Sequence, residues 1–167
     1  PPTSTVKVEL VRATPAELAA ARELVGQALV ATPDDAGLVA QLAYVDGLAA
    51  LLYGTPVSQE RVFAPVAPGA GDRAWVLGKV AYGLTTATKP EQLAELARLL
   101  AELTSDPWSR WLEARVALLR GDRVAAAQGL RELTIAPARI DYALVLADEG
   151  NSRKEGAQLG DLGDNAL

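Results

Sequence analysis

The stretch that most constrains the fold spans residues 106–137, where aspartate, proline and glycine bound two short helical patterns. Asp106 followed by Pro107 is typical of a helix start, because the carboxylate accepts free backbone N–H groups and the proline ring already holds helical φ. Gly121 favours a helix end, since glycine adopts positive φ at little cost. Pro137 prevents the second helix from continuing. The stretch therefore predicts a helix–turn–helix unit of about thirty residues.

The spacing of small and large residues in this unit resembles a tetratricopeptide repeat. Ala114 stands at the small position of the first helix, Ala126 at the small position of the second, and Leu130 at the large position beside it. Small side chains let two helices approach closely, and Leu130 fills the neighbouring space. The resemblance implies antiparallel helix pairs stacked as a short right-handed α-solenoid that binds a protein partner.

The rest of the chain repeats the helical period of apolar residues, which predicts an all-α fold of about seven helices. The expected helices cover residues 15–32, 34–54, 72–87, 90–104, 107–121, 122–136 and 138–150. A short helix near 58–64 and a Pro/Gly-rich loop through residue 71 are expected between the second and third. In the last helix, Ile140, Leu144 and Ala147 are expected to face inward.

The chain divides into three predicted parts: an extended N-terminal arm (1–13), a helical repeat domain (14–150) and a flexible C-terminal tail (151–167). The arm alternates apolar and charged residues from Val6 to Val11, the pattern of a strand. An all-helical domain offers that strand no partner. It is therefore expected to dock on the first helix pair or to add to a sheet of another chain. The tail is rich in Gly and Asp and is expected to be solvated.

Composition excludes several classes of function. The net charge of −5 disfavours nucleic-acid binding, and the absence of Cys and His removes thiol nucleophiles, imidazole bases and the usual zinc sites. No apolar run approaches the ~20 residues that span a bilayer, so no transmembrane segment is expected. Carboxylates are expected at separate caps and surfaces, among them Asp34, Asp35, Asp46, Glu60 and Asp141. The sequence thus indicates a non-enzymatic chain without a cofactor or metal.

The chain begins with Pro1-Pro2-Thr3-Ser4-Thr5 and contains no Met. This start resembles that of a mature secreted chain, which favours a periplasmic or extracellular place in the cell envelope. A shortened chain, with a cytoplasmic location, is the alternative. Cysteine usage does not decide between them.

Two matched helical stripes are the candidate site. Trp75, Lys79 and Tyr82 lie at i, i+4 and i+7, and Trp111 and Arg115 repeat the first two positions 36 residues later. The resemblance implies that such first-helix residues line a concave partner-binding groove. Aromatic faces beside cations would suit an extended peptide or a carboxylate-bearing segment. Alternatively, the tryptophans pack between units, with the cations laid across them.

Trp108 shares a helix flank with Leu112, Val116 and Leu119, so Trp108 is expected in the core. The sequence as a whole indicates a protein–protein interaction or scaffold module, within a bacterial cell-envelope assembly. Two alternatives stay open: a self-assembling structural subunit, and a carrier of a hydrophobic ligand between the helices. Neither the partner nor the oligomeric state can be read from the sequence.

Overall fold

The computed structural model describes residues 10–56, 72–103 and 105–165, and these form seven α-helices and no β-strand. The helices are α1 (Pro15–Ala31), α2 (Ala36–Tyr53), α3 (Asp72–Thr86), α4 (Pro90–Ala101), α5 (Pro107–Leu119), α6 (Arg123–Leu130) and α7 (Ala136–Asn165). The prediction of an all-α fold is confirmed. The predicted short helix at 58–64 and the loop that follows it lie outside the described residues.

Helix starts and ends follow the predicted cap residues. The Thr14 hydroxyl accepts the backbone N–H of Glu17 at 3.1 Å, and Asp106 Oδ1 accepts two N–H groups at the start of α5. Gly54 and Gly121 take positive φ, +65° and +81°, just after α2 and α5. Glycine adopts positive φ at little cost, so each of these residues suits the end of its helix.

The tightest contact between helices is the crossing of α2 and α3. A Cβ atom on Gly47 would lie 2.5 Å from the carbonyl oxygen of Gly78, and one on Gly78 would lie 2.6 Å from the carbonyl oxygen of Ala43. The two backbones therefore touch directly. Glycine is unfavourable inside a helix, but a side chain at either position would overlap the backbone of the facing helix.

The helices pack as a chain of neighbours. Each helix contacts the next one in sequence, and α3 also contacts α5. One large cluster of buried apolar side chains extends from Leu10 to Val145. Ala114, Ala126 and Leu130 are all buried at the α5–α6 contact region, as their positions in the repeat pattern predicted.

Helix α2 is the most apolar helix of the described chain. Its 18 residues have a mean hydropathy of 1.4, and half of them are buried inside the protein. This length and apolar composition would by themselves suit a helix that spans a membrane. The central helix of a soluble protein core can have the same length and composition. α2 thus comes closer to a spanning segment than predicted. It also carries the buried carboxylate of Asp46, which lies 2.8 Å from Nε of Arg22 on α1.

The described end of the N-terminal arm docks on the first two helices. Leu10 is buried, and Glu17 Oε1 accepts the backbone N–H of Val11 at 2.6 Å. The hydroxyl of Tyr53, the last residue of α2, donates to the carbonyl of Ala13 at 2.6 Å. Internal docking is therefore observed for residues 10–13, and the alternating residues before them lie outside the described range.

Helix α7 differs most from its prediction, because it continues to Asn165 rather than ending at Gly150. A tail was predicted from residue 151 because this segment is rich in glycine, but glycine alone does not end the helix. Each interior glycine costs a helix only about 1 kcal/mol. Proline is the residue that breaks a helix, and the sequence has none after Pro137. Pro137 itself lies in the first turn of α7, where its missing N–H costs nothing.

Candidate functional site

The second predicted stripe folds into a buried polar cluster rather than an open groove. Trp111 is fully buried on α5, and its indole Nε1 donates to Oδ2 of Asp141 at 2.7 Å. Nε of Arg115 lies 2.7 Å from the same oxygen. A buried carboxylate is stable only with such partners. Trp111, Arg115 and Asp141 therefore join α5 to α7.

The geometry of Arg115 shows how this cluster is held together. Its guanidinium carbon lies 5.5 Å from the centre of the Trp111 ring, within range of a cation–π contact. The Nε–H makes no aligned hydrogen bond, although Nε is close to Asp141. The contact with Asp141 is therefore mainly electrostatic. Trp111 supplies the hydrogen bond that fixes the orientation of the carboxylate.

The first stripe is more accessible. Nζ of Lys79 lies 4.8 Å from the centre of the Trp75 ring, and both side chains are half-buried. Tyr82, two turns along α3, is buried. The structure thus lays a cation across a tryptophan in each stripe, the arrangement of the packing alternative. Of the five residues predicted to bind a partner, Trp111 and Tyr82 have no exposed ring face. Binding through Trp75 and Lys79 stays a prediction.

Trp108, on the neighbouring flank of α5, is in the core as predicted. Trp108, Leu112 and Val116 are buried, and the Trp108 ring meets that of Trp111 edge to face at 5.8 Å. Leu119, on the same flank, is half exposed. It is the last residue of α5, beyond the point where neighbouring helices cover this face.

The buried position of Asp141 differs from the prediction of a cap or surface position. In the first half of α7, Asp141 is buried together with Ala138 and Val145. One signal for this was present, since a buried tryptophan needs an acceptor for its indole N–H. Identifying that acceptor requires knowing which helix packs against α5, and the helical period of α7 does not give this.

Ile140 and Leu144 of α7 point to solvent, so the predicted inward face is wrong. Ile140 is 61% exposed and Leu144 is 60% exposed, and Ala147 is exposed beside them. Asp141, which accepts the indole N–H of Trp111, lies on the buried side of the same helix. On the preceding helix, α6, the aliphatic side chain of Val124 is likewise 67% exposed. We call Ile140, Leu144 and Ala147 the outer face of α7.

Charged side chains border this outer face. Arg139 is exposed next to Ile140, and Asp148 lies 3.9 Å from Arg123 of α6, with both side chains more than half exposed. An apolar centre with a charged, solvated rim is the usual composition of a protein-binding surface. Scattered exposed leucines are common, whereas an aliphatic stripe one helical turn apart is less so.

A second ion-pair cluster holds α2, α3 and α5 together. Nε of Arg73 donates to Oδ2 of Asp106 at 2.6 Å, and its guanidinium lies 6.0 Å from the centre of the Tyr44 ring. Burial raises the pKa of the Tyr44 phenol above its ordinary value. Burial would also raise the pKa of Asp106, but hydrogen bonds from Arg73 and the start of α5 outweigh it and lower that pKa. These groups stabilise the fold.

Within the described ranges, no group of three or more His, Cys, Asp or Glu side chains is arranged to hold a metal ion. Comparison with protein-family models, curated proteins and solved structures finds no match. The assignment to tetratricopeptide-like repeats therefore stays a prediction that rests on the spacing of residues and on helix packing.

Proposed function

We propose that this chain is a non-enzymatic protein–protein interaction module, and that the outer face of α7 is its contact surface. The observation that carries the proposal is the exposure of Ile140 and Leu144, 61% and 60%, on a helix whose opposite face is buried. Full burial of a large aliphatic side chain is worth about 1.5–3 kcal/mol, so leaving these two about 60% exposed forfeits roughly 1–2 kcal/mol for each. A partner that covers them recovers this free energy.

The repeat architecture is part of the proposal. Each helix packs against the next one in sequence, and α3 also packs against α5. In stacked antiparallel helix pairs, the first helix of one unit contacts the first helix of the next, as α3 and α5 do here. The burial of Ala114 and Ala126 supports the same arrangement. In a short right-handed α-solenoid, α7 is a terminal helix with its outer side available.

The test is a double variant, Ile140→Ser with Leu144→Ser. Because both side chains are exposed, its unfolding free energy should stay within about 0.5 kcal/mol of the parent. When the variant is used as bait in an affinity capture, it should lose a partner that the parent chain retains. The matched control, Leu24→Ser with Val30→Ser, removes exposed aliphatic groups from α1 and should retain the partner. Equal capture by both variants would refute the proposal.

A self-assembling subunit is the second candidate, since another copy of the chain could cover the same outer face. Sedimentation velocity over a wide range of concentration separates the two. Self-assembly predicts a mass that rises with concentration in the parent and not in the Ile140→Ser, Leu144→Ser variant. A protein partner predicts a monomer in both.

A further inference from the structure

A concave pocket lies away from the outer face of α7, between α4 and the second half of α5. Its volume is about 550 Å³, and its lining residues are Ala97, Glu113, Val116, Ala117, Arg120 and Asp122. That volume falls in the range of roughly 300–1,000 Å³ found for ligand sites. The wall between the charged groups is made of small aliphatic side chains.

Glu113 is the unusual residue of this pocket. Within the described ranges, its carboxylate accepts no hydrogen bond and has no cation within 4.0 Å. Although Glu113 is exposed, lost hydration raises the pKa of its carboxyl, and the more distant charge of Arg110 opposes this only in part. A carboxylate that loses water without gaining a partner favours the approach of a cation.

Arg120 and Asp122 define the other end of the pocket. Arg120, the residue just after α5, is seven positions beyond Glu113, which places their backbones about 10 Å apart. Asp122 already accepts the backbone N–H of Ala125 as the cap of α6. Arg120 would repel a cation that entered at this end. The charges therefore direct a cationic group toward Glu113 and leave Val116 and Ala117 to contact an alkyl chain.

We propose that this pocket binds a lysine or arginine side chain of a partner protein segment, with the alkyl stem on Ala97, Val116 and Ala117 and the charge at Glu113. This rests on the proposed function, because it gives the chemistry of one contact with a protein partner. It uses a surface separate from the outer face of α7. A partner that spans both surfaces would present an aliphatic patch and a basic side chain.

The probe for this proposal is lysine blocked as its N-acetyl methylamide, titrated into the full chain and followed by NMR. We expect saturable shifts of the Val116 and Ala117 methyl signals and of the Glu113 side-chain signals. The analogue with an acetylated ε-amine keeps the stem and lacks the charge, so it should produce no saturable shifts. Blocked glutamate tests the opposite charge and should also fail to bind.

Two variants test the assignment to Glu113. Glu113→Gln should weaken binding of blocked lysine about fivefold, the scale of a partly solvated ion pair. Glu132→Gln, which removes an exposed carboxylate outside the pocket, should leave binding unchanged. Ala97→Leu should reduce binding by filling the pocket, and its circular dichroism spectrum reports whether it folds.

The proposal is overturned if the charged and acetylated lysine analogues bind equally, or if Glu113→Gln and Glu132→Gln behave alike. Failure of the proposed function has a different signature. In that case the outer face of α7 captures no partner, while blocked lysine still binds in the pocket and depends on Glu113. Partner capture and binding of blocked lysine are measured in separate experiments on variants of different residues, so the two failures can be told apart.

Discussion

The crossing of α2 and α3 allows a sharp prediction about Gly78. Replacing it by alanine places a Cβ atom 2.6 Å from the carbonyl carbon and oxygen of Ala43 and 2.7 Å from the backbone nitrogen of Tyr44. Ordinary van der Waals contact lies at 3.4–4 Å. All three atoms belong to the backbone of a helix, so no side-chain rotation relieves the overlap, and the two helices must separate.

The magnitude follows from two opposing effects. Overpacking of a core costs about 1–3 kcal/mol, and a contact with three backbone atoms belongs at the upper end. Alanine also favours the helix over glycine by about 1 kcal/mol. We expect Gly78→Ala to lose about 2 kcal/mol of unfolding free energy. This corresponds to a fall of roughly 4–8 °C in melting temperature for a chain of this size.

Two glycines provide controls within the same chain. A Cβ atom on Gly26, in the middle of α1, would meet nothing within 4 Å, so Gly26→Ala should gain up to about 1 kcal/mol. A Cβ atom on Gly83 would meet Cδ2 of Leu96 at 2.8 Å, and a leucine side chain can move. Its alanine variant should fall between the other two.

Urea denaturation followed by circular dichroism measures all three variants. The expected order of stability is Gly26→Ala, then Gly83→Ala, then Gly78→Ala. A Gly78→Ala chain as stable as the parent would refute the direct backbone contact between α2 and α3. In that case the two glycines would reflect something other than close packing.

Three further substitutions test other parts of the fold. Trp111→Phe removes the indole N–H that Asp141 accepts, and should cost about 1–3 kcal/mol in urea denaturation; an unchanged midpoint would place Asp141 in water. Ala126→Leu should cost about 1–3 kcal/mol because Ala126 is buried, while the exposed Ala125→Leu should leave the melting temperature nearly unchanged. Asp106 has a pKa below its ordinary 3.8 in the folded chain, so the unfolded chain binds its proton more readily. The stabilisation by the Asp106 carboxylate is fully present at pH values above its pKa in the unfolded chain, and it is lost as the pH falls through its lower pKa in the folded chain. The Asp106→Asn variant should therefore lose less stability in acid than the parent does.

Local signals in the sequence predicted most helix boundaries. Thr14, Asp35, Asp106 and Asp122 each cap a helix as expected, because a cap depends only on neighbouring backbone groups. The end of α7 was mispredicted because glycines suggested a tail. The helix continues through these glycines because no proline follows Pro137 in the sequence.

The candidate site was harder to predict, because it depends on contacts between distant helices. The i, i+4 spacing correctly paired Trp75 with Lys79 and Trp111 with Arg115. It could not show that Trp111 is buried, since that depends on Asp141, thirty residues later. Nor could it show which face of α7 packs against α5, and hence that Ile140 is exposed.

The most direct test of the proposed contact surface is site-specific photo-crosslinking in extracts of the source organism. A photoreactive amino acid replaces Leu144 in one chain and Val30, which is 84% exposed on α1, in another. The proposed function predicts a discrete protein adduct from position 144 and none from position 30. Equal adducts from both positions, or none from position 144 in a folded chain, would contradict it.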